Sequence, residues 1–455
     1  MCRLGLVLLL LSLAGPVSAE PVVLDPQTLR QLAFEAVRAG FAEDALDMTS
    51  ALLLRDPNDS SALTIRSQAL RALGRYDEAV VAARAAWRAA DTRPAQFGAA
   101  MAMAAAQSSN GRRTRAELWL RRAATVAPNE RTYAIAQRDF GYVQSRNPWR
   151  FVLDFTMAPS SNVNNGSSAD AFALPGIPVF FEIAPENRAL SGIQLGFGVE
   201  ATYRFNPTGP NRQTALTFGT SVQAAILSSA ARKAAPEAKA SDYTLTAVET
   251  GLTHRRGFGA DGSTVMSLSG SLGHNWYGGA DLSNYVELGA QLSRPITPRL
   301  TFTFGLAADD VTRLDRPLQS SRKREVSTGL QFAFGDDNQD RLSMRLVSTD
   351  VASGSVEVRN HATSLAVSWQ KGAPIAGIGL AASLTVEDRR FPNSRYAAGG
   401  RDDLRLSGQI QMTFTQIDYF GFSPVLEVQA NRTWSNSDLH DSQAVGVNLG
   451  IASTF

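Results

Sequence analysis

Residues 404–415 read LRLSGQIQMTFT, and their alternation of apolar and polar residues decides the fold of the second half of the chain. Apolar side chains stand at the even positions from Leu404 to Phe414, interrupted once by Gly408, while polar residues such as Arg405 stand at the odd positions. Because successive side chains of a strand point to opposite faces, this stretch predicts a strand with one apolar and one polar face.

The same alternation recurs in many segments of about ten residues, the strand length typical of a transmembrane β-barrel. RLTFTFGLA (299–307) and AVGVNLGIASTF (444–455) repeat it. We therefore predict an antiparallel transmembrane β-barrel of about 14 strands over residues 148–455. A soluble β-sandwich also alternates and is the alternative fold. The strands are expected to begin near residues 149, 191, 212, 241, 263, 282, 298, 322, 340, 357, 374, 402, 423 and 443.

The lengths of the connections favour the barrel over the sandwich. Odd connections such as 159–190 and 387–402 are mostly long, and even ones such as RPITP (294–298) and KGAP (371–374) are short. Outer-membrane barrels have short periplasmic turns and longer external loops. We therefore expect the barrel in the cell outer membrane, with both of its ends in the periplasm.

The last residue carries a second signal. The sequence ends on Phe455, preceded by apolar residues at alternate positions. This ending resembles the C-terminal signal of outer-membrane proteins, which the barrel assembly machinery reads. Phe455 is therefore predicted to be a barrel-assembly signal.

The start of the chain has the pattern of an export signal. Arg3 precedes the apolar run LGLVLLLLSLAG, and Pro16 ends it. Val17 and Ala19 fit the small-residue positions before a cleavage point, so we predict a signal peptide over residues 1–19. The apolar run is too short to span a bilayer, and a buried N-terminal helix is the alternative. The single cysteine lies inside this segment, so the mature chain would contain none.

A 34-residue period indicates helical repeats before the barrel. The period resembles the tetratricopeptide repeat, in which a glycine makes the turn between two antiparallel helices and an alanine lets them approach closely. We predict a periplasmic tetratricopeptide-like domain over residues 20–147, with residues 130–144 as its capping helix. An Ala-rich helical bundle is the alternative. The repeated positions are Gly40, Ala45 and Leu52, then Gly74, Ala79 and Ala86 at 34 residues, then, after a three-residue insertion, Gly111, Ala116 and Ala123.

Such an array has a concave surface lined by the first helix of each pair. The inward-facing positions of the repeat family correspond here to Arg30, Phe34, Gln68, Arg71 and Met101. Their functional interpretation is capture of a client peptide. Ordinary solvated or half-buried helix residues are the alternative interpretation.

The histidines lack a metal-ligand spacing such as HExxH, and no GxSxG elbow occurs. The net charge of +2 does not indicate a nucleic-acid partner. We predict no enzymatic activity, no cofactor and no metal. The histidines are His254, His274, His361 and His440.

Two carboxylate-rich segments and one long loop were candidates for binding. Residues 336–340 and 401–403 lack the ligand spacing and closing glutamate of a Ca²⁺ loop, and we interpret them as solvated turns. The segment 387–403 contains Phe391, Tyr396 and several arginines. It could be an external binding loop or a generic surface loop.

The junction between the two halves resembles a known family. WRFVLDFTMAPSSNVNNGSS (149–168) is similar to the start of the barrel in the surface lipoprotein assembly modifiers, or Slam proteins. Ser160 stands where that family often has Asp. Exopolysaccharide export porins share the layout of repeats plus barrel, but they generally carry more helical repeats. The residues that match the family motif are Ser161, Asn162, Val163, Asn164 and Asn165.

The resemblance implies a translocon that moves a surface lipoprotein or soluble effector from the periplasm to the cell surface. Its partners would be the exported protein client, periplasmic chaperones, the barrel assembly machinery and outer-membrane lipid. An exopolysaccharide or small-solute export porin is the first alternative, and a surface receptor or adhesin is the second. We expect Arg150–Phe155 to pair with Val445–Phe455 at the barrel seam, and Leu153 and Gly450 are example positions for cross-linking it once their proximity is confirmed.

Overall fold

The computed structural model describes residues 24–173, 179–205 and 211–453. The chain divides between Thr132 and Tyr133 into two compact units, and each is described by itself below. The expected signal peptide and Phe455 lie outside the described residues.

Paired helices form the first unit. Its helices are α1 (Pro26–Ala39), α2 (Ala42–Arg55), α3 (Ser60–Ala72), α4 (Tyr76–Ala89), α5 (Arg93–Ser109) and α6 (Arg113–Thr125). Helix α7 (Glu130–Arg146), the predicted capping helix, belongs to the second unit from Tyr133 onward. Gly40, Gly74 and Gly111 stand between the members of the three pairs, with φ of 91°, 77° and 74°. This left-handed conformation favours glycine, so the repeated glycines are the predicted turns.

The repeated alanines hold the helix pairs together. Ala45, Ala79 and Ala116 are fully buried, as the close approach of paired helices requires. Ala45 and Ala79 belong to one apolar core that also contains Leu70 and Met103. The repeat prediction is therefore confirmed at the level of the fold.

The seventh helix leads into the barrel. The sequence places a domain boundary after it, at 147/148, whereas the compact units of the structure divide near its start. Arg204 Nη2 donates a hydrogen bond to Gln144 O at 2.6 Å and another to Asn147 O. Pro148 O accepts from Arg204 N at 2.7 Å. A barrel strand thus satisfies carbonyls left free at the end of α7.

The second unit is a closed antiparallel barrel of 14 strands, as predicted. A separate two-stranded hairpin, β2 with β3, interrupts the strand series after β1. The short helix α8 (Ser229–Ala234) lies between β5 and β6. The strands are β1 (Trp149–Ser160), β2 (Ala171–Ala173), β3 (Phe180–Glu182), β4 (Gly192–Arg204), β5 (Arg212–Leu227), β6 (Leu245–Phe258), β7 (Thr264–Tyr277), β8 (Ala280–Pro295), β9 (Leu300–Arg313), β10 (Ser321–Phe334), β11 (Asp340–Ser353), β12 (Asn360–Gln370), β13 (Ile378–Phe391), β14 (Arg401–Phe414), β15 (Phe422–Ser435) and β16 (Ser442–Ser453).

The strand register places the apolar positions on the outside of the barrel. Leu288, Leu306, Val326, Leu346 and Leu365 stand on neighbouring strands from β8 to β12 and are 42–60 % exposed. Exposing each such side chain to water would cost about 1.5–3 kcal/mol. A continuous band of this kind is stable against lipid, as in barrels of the outer-membrane type. All 14 strands close one barrel, so the soluble-sandwich alternative is wrong.

Aromatic rings gather at the end of the barrel where α7 enters. The Trp149 and Tyr203 rings lie 5.0 Å apart, and the Tyr203 and Phe205 rings lie 5.3 Å apart. Trp149 also stacks with Phe151 at 5.8 Å. Aromatic side chains at the rim of an apolar band are typical of a membrane interface.

Among the described residues, no helix is both long and apolar enough to span a bilayer.

Candidate functional site

Residues 161–165, directly after β1, fasten the two ends of the long connection between β1 and β4 to each other. Asn164 Nδ2 donates to Arg188 O at 2.7 Å and to Glu186 O at 2.9 Å. Asn164 Oδ1 accepts from Leu190 N at 2.9 Å. One side chain therefore satisfies three backbone groups of the distant end of the loop.

The other motif residues complete this fastening. Asn162 Oδ1 accepts from Gly166 N and its Nδ2 donates to Gly166 O, both at 2.8 Å. Asn165 adopts a left-handed φ of 51°, which asparagine tolerates better than most residues. An added Cβ at Gly166 would lie 2.2 Å from Arg188 O, so only glycine fits this close approach.

Val163 anchors the same loop to the barrel. It is buried with Leu190 against Ala225 and Leu227 of β5 and against Ala231 of α8. Val163 N also donates to Leu190 O at 2.8 Å. The motif residues thus come together in a structural clasp over the outer ends of β4 and β5.

The hairpin in this loop reaches other loops of the outer end. The Phe172 ring of β2 lies 5.9 Å from the Tyr396 ring in the β13–β14 connection. Tyr396 in turn lies 5.2 Å from the His440 ring in the β15–β16 connection. Three connections at the end of the barrel away from α7 are therefore joined by aromatic contacts.

Tyr396 and His440 belong to a group of buried and half-buried side chains, which we call the mouth cluster. Arg401 is 5 % exposed, and its guanidinium carbon stands 3.5 Å from the centre of the Phe391 ring. Arg401 Nε lies 3.2 Å from Asp403 Oδ2, and Nη1 lies 3.9 Å from Glu357 Oε2. Burial of an arginine requires such partners. The mouth cluster consists of Glu357, Phe391, Tyr396, Arg401, Asp403 and His440.

The mouth cluster corrects one sequence interpretation. Residues 401–403 were expected to form a solvated turn, but they begin β14, and Arg401 and Asp403 are buried. The reason is that Arg401 pairs with Glu357, which comes from the distant β11–β12 connection. Burial, followed by the charge of Arg401, lowers the pKa of His440 to about 4.

The segment 336–340 is corrected in the same way at its last residue. Asp340 begins β11 and is buried. Its carboxylate accepts from Lys371 Nζ at 2.9 Å and from Gly372 N at 3.0 Å. The carboxylate ties two neighbouring turns together instead of facing solvent.

The barrel interior contains a group of ion pairs that the sequence did not predict. Lys323 Nζ lies 2.8 Å from Asp309 Oδ2 and 3.6 Å from Glu325 Oε2. Arg345 Nη2 lies 2.9 Å from Glu325 Oε1. Each residue stands at an inward, polar position in the alternation of its strand, so the sequence indicated that its side chain faces the interior. Which charges form pairs depends on the register of β9, β10 and β11, which the sequence did not give.

Most of the other inward positions are small or polar. Tyr285 on β8 donates to Glu249 Oε2 on β6 at 2.7 Å. Within the described strands, the inward positions carry only three Phe, Trp or Tyr side chains, namely Tyr277, Tyr285 and Phe391. The interior therefore offers little aromatic surface on which a ligand could stack.

The seam between the first and last strands is paired over a short stretch. The β1–β16 ladder has partners at Thr156↔Gly450, Met157↔Leu449 and Ser160↔Gly446. By contrast, β1 pairs with β4 at every position from Trp149 to Ser160. The first half of β1 has no ladder partner in the described part of β16.

This register corrects the expected seam. Gly450 faces Thr156 and not the neighbourhood of Leu153, so the predicted pairing of Arg150–Phe155 with the last strand is displaced. An added Cβ at Gly450 would lie 3.1 Å from Phe155 O. This glycine therefore relieves crowding where the two strands approach.

The predicted client-binding residues lie on three neighbouring first helices. α1 packs against α3, and α3 packs against α5. Arg30 Nε is paired with Asp59 Oδ2 at 2.8 Å, which leaves Arg30 one-third exposed. Phe34 and Arg71 are exposed, whereas Gln68 and Met101 are half-buried. Their role in client binding stays a prediction.

Within the described ranges, no group of three or more His, Cys, Asp or Glu side chains is arranged to hold a metal ion.

Comparisons with known proteins give weak likenesses. No family model matches the chain. No curated protein matches it. The solved type III secretion translocator chaperone SycD of Yersinia enterocolitica is 21% identical, with 26% of this chain and 83% of that chain covered and a TM-score of 0.24.

Two barrel structures cover more of the chain. A bacterial polysaccharide outer membrane secretin is 9% identical over 67% of this chain and 98% of that chain, with a TM-score of 0.35. An anion-selective porin from Comamonas acidovorans is 12% identical over the same shares, with a TM-score of 0.30. At these identities and TM-scores the likenesses carry no argument about function.

Proposed function

We propose that this chain is an outer-membrane translocon that moves a specific exported protein from the periplasm to the cell surface. One observation carries the proposal: a single chain joins paired helical repeats to a closed barrel with an apolar outer band. The barrel would lie in the outer membrane and the helical unit in the periplasm. The similarity of residues 149–168 to the Slam proteins supports a lipoprotein or soluble effector as the client.

The helical unit would capture the client or its periplasmic chaperone. Phe34 and Arg71 supply an exposed apolar ring and an exposed cation on adjacent helices. Apolar and cationic groups presented together suit an extended or helical peptide with acidic and apolar residues. Arg30 contributes less charge because Asp59 already neutralises it.

The barrel would provide the route, through its interior or through the seam. The loop clasp and the mouth cluster join three connections at one end of the barrel, so an interior route would pass beside these loops. Among the described residues, the β1–β16 ladder offers fewer backbone hydrogen bonds to break than the β1–β4 ladder, each worth about 0.5–1.5 kcal/mol net. This difference favours the seam as the place where the barrel opens.

Export of a polysaccharide is the alternative, and the interior does not favour it. Sugar rings stack on aromatic side chains, and the described inward positions provide only Tyr277, Tyr285 and Phe391. The ion pairs around Lys323 neutralise one another and give no single-sign lining for a charge-selective pore.

A deletion strain tests the proposal. We expect it to lose one or a few surface proteins and to regain them when the wild-type chain is supplied. Complementation with Phe34→Ala/Arg71→Glu should restore the barrel but not the surface proteins, whereas Leu54→Ala, at an exposed leucine on α2, should restore both. A deletion strain that keeps its surface proteins but loses a capsule or secreted polysaccharide would contradict the proposal and support sugar export.

A further inference from the structure

The first helix pair carries an open groove away from the predicted client-binding residues. The groove has a volume of about 510 Å³ and lies between α1 and α2. Its apolar walls include Phe41, which is 62 % exposed, and Leu32, which is 42 % exposed. The lining residues are Leu32, Glu35, Ala36, Ala39, Phe41, Asp44, Asp47 and Met48.

The 34-residue period relates residues that line this groove to positions in the second repeat. The positions 34 residues after Glu35, Ala36 and Met48 are Ala69, Leu70 and Ala82. In the second repeat these positions are buried in the core shared with the first repeat. The part of the α1–α2 groove at Glu35, Ala36 and Met48 therefore corresponds to the stacking face of the array, on which a preceding helix pair would pack. The counterparts of Phe41, Asp44 and Asp47, namely Arg75, Glu78 and Val81, stay exposed at the rim of that face.

This stacking face differs from an ordinary capped end. Terminal repeats usually present a polar outer face to water. Here Leu32, Phe41 and Met48 keep the face apolar, and nothing in the described part of the chain covers it. A helix of another molecule would fit, because stacking on this face is the packing that the next repeat already uses.

The charged residues beside the groove indicate what kind of partner it binds. Asp44 and Asp47 flank the apolar walls, and neither makes an ion pair among the described residues. Glu35 has only a 3.4 Å contact with Arg38, and both side chains are more than half exposed. A two-fold contact between copies would bring these carboxylates together at an electrostatic cost. A basic partner gains attraction instead.

We propose that the α1–α2 groove binds an amphipathic, basic helix of a partner protein. Apolar residues of that helix would fill the space beside Leu32, Phe41 and Met48, and its Lys or Arg side chains would meet Asp44 and Asp47. The inference goes beyond the proposed function, because it requires no export and uses a different face of the helical unit.

The test measures binding of a designed probe to the full-length chain in neutral maltoside detergent. The probe is a fluorescent Leu/Lys amphipathic helix of about five turns, and a Leu/Glu helix of the same pattern is its control. Empty micelles give the blank. We expect saturable binding of the Leu/Lys helix and little binding of the Leu/Glu helix.

Two variants assign the binding to the groove. Asp44→Lys/Asp47→Lys should weaken binding of the Leu/Lys helix by about tenfold or more and create binding of the Leu/Glu helix. Asp56→Lys/Asp91→Lys makes the same change in net charge elsewhere on the helical unit and should have little effect. Phe41→Ala should weaken binding without altering charge, and Leu54→Ala should not.

Three results would overturn the inference. The first is equal binding of both helices. The second is binding that neither the Asp44→Lys/Asp47→Lys variant nor Phe41→Ala changes. The third is a dimer in sedimentation that Phe41→Ala dissolves, which would assign the face to a second copy of the chain. Because none of these readouts involves surface display, the inference and the proposed function can fail independently.

Discussion

Asn164 and Leu190 are joined across 26 residues by a hydrogen bond of 2.9 Å from the Leu190 backbone N–H to the Asn164 side-chain oxygen. The Nδ2 group of the same side chain donates hydrogen bonds to the backbone carbonyls of Glu186 and Arg188. Residues 161–165 therefore act as a clasp for the long connection between β1 and β4. The clasp directly follows the part of β1 that pairs with β16 at the seam.

Replacing Asn164 by Ala should release this loop. The variant leaves two carbonyls and one N–H without their partner, at a local cost of about 1–3 kcal/mol for each group that stays buried. We expect external protease to cut within 161–191 while the barrel keeps its heat-modifiable migration. Asn165→Gly is the matched control, because glycine adopts the left-handed φ of 51° without strain. Equal resistance of Asn164→Ala and wild type would show that the clasp is dispensable.

Enlarging Ala79 should destabilise the helical unit. Ala79 is fully buried, and its carbonyl accepts from Ser67 Oγ at 2.8 Å. Ala79→Leu would overpack this crossing at a cost of about 1–3 kcal/mol. We expect earlier thermal loss of the helical circular dichroism signal, whereas Ala72→Leu, at an exposed position of α3, should melt like wild type. Unchanged melting of Ala79→Leu would contradict the repeat packing.

Disulfides across the seam should test both its register and its function. Met157 faces Leu449, and paired residues hold their Cβ atoms about 4.5–5.5 Å apart. Met157→Cys/Leu449→Cys should therefore cross-link. Leu153→Cys/Gly450→Cys should not, since Leu153 lies three residues, or about 10 Å, from the partner of Gly450.

The locked seam then distinguishes the two routes. If client protein leaves through the seam, Met157→Cys/Leu449→Cys should block surface display until a reductant is added. Ser327→Cys/Val347→Cys locks the fully paired β10–β11 ladder and should leave display unchanged. Normal display from the oxidised seam variant would eliminate the seam route and leave the interior route.

Acid should loosen the mouth cluster through His440. Burial and Arg401 lower the pKa of His440 to about 4, below its ordinary value of 6.5. Above pH 6.5 the imidazole is neutral in both states and contributes no pH dependence. Between pH 6.5 and 4 the opened state takes up a proton that the closed state excludes, so closure weakens as pH falls.

Hydrogen exchange of the segment 391–401 measures this opening. Wild type should exchange faster as pH falls from 6.5 to 4, after correction for the intrinsic pH dependence of exchange. His440→Gln should flatten this trend, while His361→Gln, at an exposed histidine of β12, should retain it. A trend that survives in His440→Gln would contradict the role of His440.

Local sequence patterns determined the architecture. The alternation at 404–415 and 299–307 predicted strands whose starts agree closely with β14 and β9, and the glycines at 40, 74 and 111 predicted the helix turns. These features depend on periods of 2 and 34 residues along one chain, and each period is set by neighbouring residues. The apolar outer face follows from the same alternation.

Only the tertiary structure decided which distant residues meet. The register Thr156↔Gly450 depends on the stagger accumulated around all 14 strands before the barrel closes, so no local segment specifies it. Arg401 looked solvated because its partner Glu357 is 44 positions earlier in the chain. Likewise, the sequence predicted only that Asn164 lies in a loop. Its three backbone partners, at Glu186, Arg188 and Leu190, are 22–26 residues later in the chain and meet it only in the folded protein.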